Sequence, residues 1–474
     1  MTDDAPFGLG WKAWGLTIAA GVAIGMVYAL SPLTVWCAVA IAFVVRAAVK
    51  HIDGDERRWV MTVLIAAVAA RVIAVAVLFA ATDHARVPFG SFFGDEEYFI
   101  KRSLWLRNVA LGTPIHGADL IYAFDEYSAT SYLYVLAFIQ VLVGPAPYGA
   151  HLLGITFYLG GCVVLFRTVR STLGRMPALV GLSLLLFLPS LFAWSISALK
   201  DPLFFLLTAS SVALTLRVAR GPGWTTRLIA LAAIVAAGVA LESIRVGGAA
   251  LSAVSIVGGI GIAALVMRPR LLLATVVAVP MAAGLVLQRP AAQVKAYRTV
   301  LSGAQQHWGH AATLGVVYKV LDPRFYHLDP TGLPDRAEIP DMHAAEMLRF
   351  MVRAAVRYIV VPLPWEVQSK AALAFLPEQT IWLTLVACAP FGLVFGFRRD
   401  AVVTGLLLSH ALVAAITVAL VSGNVGTLVR HRGLALPYLV WLSAVGGCEL
   451  LSRMARRLAA PPDSQHAFAR TQPI

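Results

Sequence analysis

The sequence predicts an all-α polytopic membrane protein. Hydrophobic residues make up 59% of its 474 residues and charged ones only 13%. Mean hydropathy is +0.78, and apolar segments near bilayer length recur from end to end. A soluble globular chain is excluded on these grounds.

Taken in order, the spans fall near 12–30, 33–49, 59–81, 149–168, 177–194, 201–218, 226–242, 247–267, 270–287, 379–397, 401–421 and 433–451. That gives about twelve helices of bilayer length. The first apolar run is followed by no small-residue cleavage site, so it reads as a retained span rather than a signal peptide.

Lys and Arg set the orientation. Arg46, Lys50, Arg57 and Arg58 share one connection. Later connections carry Arg167, Arg170 and Arg175, then Arg217, Arg220 and Arg227, then Arg268 and Arg270, then Arg398 and Arg399. Arg453, Arg456 and Arg457 close the series. All fall on one side, the cytoplasm, with both termini, provided that Ser131 to Val143 does not cross. That segment is short and runs into Gly144-Pro145-Ala146-Pro147, so it reads as a helix lying in the interface. The net charge of +13 follows from orientation and from contact with anionic membrane lipids, with no part for nucleic acid.

The organisation that results is an N-terminal helical hairpin (1–58), a transmembrane core (59–287) and a C-terminal set of helices (379–452). A cytoplasmic tail (453–474) reads as disordered from Pro461 onward. Two long extracytoplasmic loops, 82–148 and 288–378, hold fifteen of the 25 acidic residues. Loops of that length are seldom mere connections. Cys37, Cys162, Cys388 and Cys448 all fall in spans, with neither a disulfide framework nor metal-ligand spacing.

The first loop carries Gly94-Asp95-Glu96-Glu97-Tyr98. Adjacent carboxylates at a membrane surface can take a proton from an acceptor hydroxyl or hold a cation; the plain reading is a solvated acidic loop. The second loop carries His307 and His310, more simply a loop pair than ligands. It then offers Arg349, Arg353 and Arg357 at i, i+4 and i+8, opposite apolar residues, over 344–361. That is the pattern of a surface-lying helix.

Four cations sit against the orientation preference. Lys200 lies in a turn before Asp201-Pro202, and Arg245 follows Glu242 at i+3, close enough to pair. Arg430 and Arg432 flank His431 after the glycine-rich stretch Gly423-Asn424-Val425-Gly426. An anionic group such as a lipid phosphate would compensate them, with Arg offering a bidentate fork; ordinary snorkelling is the plain alternative. Arg71, inside the third span, is functional or paired.

In this order and sidedness the chain resembles the GT-C superfamily of integral membrane glycosyltransferases. Within it, the likeness is to bacterial members akin to protein mannosyltransferases and the lipid A aminoarabinose transferase, the family 39-like proteins. Asp95-Glu96-Glu97-Tyr98 is similar to their acidic motif early in the first large loop. Tyr132 to Gly144 and His151 to Arg170 look like the surface segment and returning helix that follow. Leu188-Pro189-Ser190 through Lys200-Asp201-Pro202 is similar to their next turn, and Asn424 to Arg432, with Pro437, to the turn before their last helices. The resemblance covers most of 59–451. Two extra spans precede the acidic loop, no sizeable soluble domain follows the bundle, and the second loop shows no acceptor motif.

The resemblance implies a GT-C-like fold in a bacterial inner membrane. It implies transfer of a sugar from a polyprenyl-phosphate donor to an extracytoplasmic glycan, lipid or protein acceptor. Asp95 and Glu96 would be catalytic, or ligands if a divalent metal takes part. Arg430, Arg432, Lys200 and Arg245 would hold the donor phosphate, with Tyr98, His431 and Asn424 against substrate. A polymerase or ligase using polyprenyl-diphosphate-linked oligosaccharide is the second reading, and a lipid-linked precursor flippase or transporter the third.

Overall fold

A computed structural model describes residues 11–86, 92–125, 130–145, 148–312, 316–326, 339, 341–366, 373 and 376–459. The tail beyond 459 and most of the Pro- and Asp-rich stretch before Asp341 lie outside the described residues. Every regular element among those described is helical, so the protein is a polytopic helical membrane protein. Among the described residues, nine helices are long and apolar enough to cross a bilayer, and up to eleven if each of two bent pairs is one span. The expected first span is a shorter apolar helix over Ala13–Ala29 by the same measure.

The helices in order are α1 (Trp11–Leu30), α2 (Pro32–Val49), α3 (Gly54–Ala81), α4 (Gly94–Ala110), α5 (Gly117–Ala123) and α6 (Ser131–Val143). There follow α7 (Gly149–Thr172), α8 (Arg175–Phe187), α9 (Pro189–Ser195), α10 (Asp201–Arg220), α11 (Trp224–Ile244), α12 (Gly248–Val266) and α13 (Pro269–Leu287). The remainder are α14 (Pro290–Ala311), α15 (Ala344–Val360), α16 (Leu376–Arg399), α17 (Ala401–Val421), α18 (Val425–Arg432) and α19 (Leu436–Ala459). Helices α2, α10, α13 and α14 each open on a proline in the first turn. Its missing N–H is harmless there and its fixed φ suits the helix.

Three expectations about elements change. The span read at 177–194 is α8 and α9, bent by 63° where Leu188 precedes Pro189; the pre-proline position disfavours helical backbone. The stretch read as a turn before the last span is the helix α18, bent by 66° from α19. The second loop is largely helical where it is described, with His307 and His310 on α14 rather than in a loop.

The chain divides into two compact units: residues 1–165 with 191–249, and residues 166–190 with 250–474. In the first unit α4 packs on α5 and α6, and α10 on α11. Helix α6, 13 residues long, buries Tyr132, Leu133, Leu136 and Ala137 and turns Tyr134, Phe138 and Leu142 outward. It is too short to span a bilayer. In the second unit α16 and α19 run so close that a Cβ on Gly392 would lie 1.8 Å from the Leu442 carbonyl oxygen. One on Gly446 would lie 2.1 Å from that of Cys388. Small residues let spanning backbones meet in this way, because lipid gives helices no hydrophobic reason to associate. Large aliphatic side chains stand exposed along α3 (Val72, Ile73, Val77) and α11 (Val235, Val239), as a bilayer-facing surface requires.

Candidate active site

In the first unit, α4 begins at the acidic motif, with Asp95, Glu96 and Glu97 in its first turn. Negative charge there complements the free N–H groups of a helix start. The three carboxylates have different fates. Glu97 pairs with Lys101 one turn on. Glu96 is fully buried. Its Oε2 accepts the N–H of Phe92 at 2.7 Å and of Phe93 at 3.1 Å, and its Oε1 accepts the N–H of Ala198 at 2.7 Å. Buried His151 lies with Nδ1 3.8 Å from Oε1, donates to the Ile196 carbonyl at 3.1 Å and stacks on Phe92 at 4.1 Å. Glu96 is therefore a buried anchor. Asp95, its neighbour, is exposed. Tyr98 shares the Asp95 side of the helix at i+3; it is half-buried against Arg102, whose guanidinium lies 4.6 Å from its ring centre and donates to the Ala123 carbonyl.

The Glu96 anchor ties α4 to the turn between α9 and α10, and that turn carries Lys200. Tyr132 of α6 holds the same turn by donating to the Ala198 carbonyl at 3.2 Å. Burial pushes its phenol well above the usual range, so it remains a donor. Lys200 is half-buried and donates to the Ile244 carbonyl at 3.1 Å, at the end of α11; Thr130 donates to the same oxygen at 2.7 Å. Arg245 follows as the C-cap of α11, with extended backbone, and its guanidinium reaches Asp201 at 3.4 Å and lies over Phe204. The pairing expected between Glu242 and Arg245 does not form. Arg245 has left the helix, and Glu242 accepts the N–H groups of Gly247 and Ala249 at 3.0 Å each. Asp95, Lys200 and Arg245 thus stand on three chain segments linked by the Glu96, Ala198 and Ile244 contacts.

Arg71 is fully buried on α3. It donates to Ser195 Oγ at 2.7 Å and lies 4.7 Å from the Phe192 ring centre and 5.3 Å from that of Tyr158. Those contacts secure α9, below the turn that Glu96 holds.

In the second unit, Arg432 is buried at 4% exposure. Its guanidinium donates to the Tyr358 carbonyl, to the Val361 carbonyl at 2.7 Å and to Gln379 Oε1 at 2.9 Å, and it lies 4.7 Å from the Trp382 ring centre. It closes the carbonyl end of α15, where helix ends leave acceptors unfilled. The phosphate-binding role expected of Arg432 is accordingly replaced by a structural one, because its fork is already filled. Asn424, expected against substrate, is the N-cap of α18: its side-chain oxygen accepts the Gly426 N–H at 2.8 Å. Backbone pairing of Val425 N to the Val316 carbonyl and of Tyr318 N to the Gly423 carbonyl holds this start in place. Arg430 and His431 are half-buried on α18.

Also in the second unit, His307 is fully buried between the Ser422 carbonyl and the Tyr326 hydroxyl, and His310 meets the Val421 carbonyl at 2.7 Å. Burial pulls the His307 imidazole down to about 4. Arg349 and Arg353 of α15 both pair with Asp322 at 2.6 Å, and Arg324 pairs with Glu346 at 2.6 Å. Leu348, Val352 and Val356 line an exposed apolar face of the same helix.

A divalent metal at Asp95 and Glu96 does not fit this arrangement. Three backbone N–H groups already occupy the two oxygens of Glu96. No cluster of three or more His, Cys, Asp or Glu side chains able to hold a metal occurs among the described residues. No family model matches the chain, and no curated protein or solved structure matches it. Sequence reasoning passed over His151, Tyr132 and Thr130 as site-building residues. The one available signal was a histidine at the start of an otherwise apolar span.

Proposed function

We propose that the chain is a GT-C-like membrane glycosyltransferase that moves a sugar from a polyprenyl-phosphate donor to an acceptor hydroxyl at the extracytoplasmic face. Asp95 positions the attacking hydroxyl and takes its proton as the oxygen bonds to the anomeric carbon. The bond from that carbon to the phosphate oxygen breaks, and the lipid phosphate leaves with the electron pair. Lys200 and Arg245 stabilise the charge that grows on it. The observation that supports this most is the split between neighbours: Glu96 is buried and fixed by three N–H donors, which holds exposed Asp95 rigidly on the segment tied to the Lys200 turn.

Helix lengths support the sidedness. With α4 too highly charged and α5 and α6 too short to cross, and with each bent pair taken as one span, alternating spans keep the basic connections at one face and Asp95, Lys200 and Arg245 at the other. Purified full-length protein, incubated with radiolabelled polyprenyl-phosphate sugars and membrane extract, should move label into an extract component. Lys200→Gln and Arg245→Lys should each raise the donor KM about tenfold, since a point charge cannot reproduce the planar fork and a neutral amide cannot reproduce the charge. Label moved only from diphosphate-linked oligosaccharide would favour a polymerase or ligase instead.

A further inference from the structure

In the first unit a groove of about 640 Å³ runs between α2 and α3. Cys37 and Ile41 line it from α2, and Met61 and Ile65 from α3, so its walls are apolar along nearly their whole length. At one end it meets Arg46, near the close of α2, and Arg57, in the first turn of α3. Both arginines are exposed. No hydrogen bond or ion pair among the described residues engages either guanidinium, whereas Arg58, the next residue, pairs with Asp55 at 3.0 Å. The volume lies within the roughly 300–1,000 Å³ of small-molecule sites.

An apolar slot between spanning helices, with two cations at its mouth, matches one chemistry: a hydrocarbon chain carrying an anionic phosphate. We propose that this groove binds an anionic phospholipid of the bilayer, with an acyl chain between α2 and α3 and the phosphate held by Arg46 and Arg57. Guanidinium groups grip phosphate through paired N–H donors, and basic pockets between spanning helices select anionic headgroups. The position excludes the sugar donor as the intended occupant. Helix α3 is 28 residues long, about 42 Å at 1.5 Å per residue. Arg57 stands at its start and the Asp95 segment follows its end, so the headgroup lies at the membrane face opposite Asp95. A donor whose phosphate sat there could not present its sugar to Asp95.

The test is native mass spectrometry of the full-length protein in detergent. It is titrated with phosphatidylglycerol and with phosphatidylcholine of identical acyl chains. The wild-type protein should bind phosphatidylglycerol on the order of tenfold more tightly. Combined Arg46→Gln and Arg57→Gln should bring the two lipids to parity, and because both residues are exposed the variant should keep its lipid-free thermal midpoint. Ala38→Phe, which fills the groove from an exposed position, should weaken both lipids together. Equal binding of the two lipids by the wild type, a preference that survives the double substitution, or lipid binding unaffected by Ala38→Phe would each overturn the proposal. So would ready displacement of phosphatidylglycerol by an equimolar polyprenyl phosphate, which would hand the groove to the donor lipid.

Discussion

The start of α4 and the end of α18 pose the same puzzle with opposite charge. Each offers like-charged residues close together in sequence, and in each one member is buried while another is less so. At α4, Glu96 is sealed by the N–H groups of Phe92, Phe93 and Ala198, and Asp95 is exposed. At α18, Arg432 is sealed by the carbonyls of Tyr358 and Val361 and by Gln379, and Arg430 is half-buried. The anchors differ in what they secure. Glu96 holds a turn that carries further charged groups, Lys200 among them. Arg432 holds the end of α15, whose Arg349 and Arg353 pair with Asp322 and whose Glu346 pairs with Arg324. A cluster of charge is thus a candidate for chemistry only once its structural members have been set aside.

The largest stability effect should come from the acidic anchor. Glu96→Gln removes the charge from three buried hydrogen bonds and should cost roughly 3 kcal/mol, since bonds to charged groups are worth about 1.5–3 kcal/mol each. Thermal unfolding in detergent measures it, and activity should fall only in step with the folded fraction. A Glu96→Gln protein of native stability would dissolve the contrast drawn here.

Arg432→Lys comes next, at roughly 2 kcal/mol, because a single ammonium cannot fill the carbonyl end of α15 and Gln379 together. Its donor KM should stay at the wild-type value in the folded protein. A raised KM without lost stability would return Arg432 to the phosphate.

The smallest effect is a pH dependence confined to the segments around α14 and α15. His307 is held neutral in the fold, down to about 4. The unfolded chain therefore binds more protons between its ordinary value near 6.5 and 4, and stability is lost as pH falls through that window. Asp322 and Glu346 act in the same direction at lower pH, because hydrogen bonds from Arg349 and Arg324 hold their carboxyls below the usual range. Hydrogen exchange should quicken at α14 and α15 on acidification from pH 7 to 4.5, and His307→Gln should blunt the part above pH 5.

Much of the fold was legible in the sequence, because a span needs only apolar length and basic ends, and both are written locally. The site was legible to the level of motif and not of role. Asp95 and Glu96 look alike as letters; what separates them is helical phase. Glu96, Phe99, Ile100 and Ser103 are all buried, at i, i+3, i+4 and i+7, so the apolar run after the motif already marks Glu96 as inward-facing. Leu428 and Arg432 stand in the same i, i+4 relation on α18 and are both buried. The contacts of Ala198 and Ile244 could not be read, since backbone groups carry no sequence signature. The break at Leu188-Pro189 could have been anticipated from the proline.

The most direct test of the central claim is donor turnover by Asp95→Asn. The substitution keeps shape and removes basicity. Transfer from a polyprenyl-phosphate sugar should fall by roughly 10²–10⁴-fold, the usual contribution of a general base, while the protein stays folded, because an exposed charge in the first turn of a helix is worth only about 0.3–1 kcal/mol. Near-normal turnover by a fully folded Asp95→Asn protein would contradict the account.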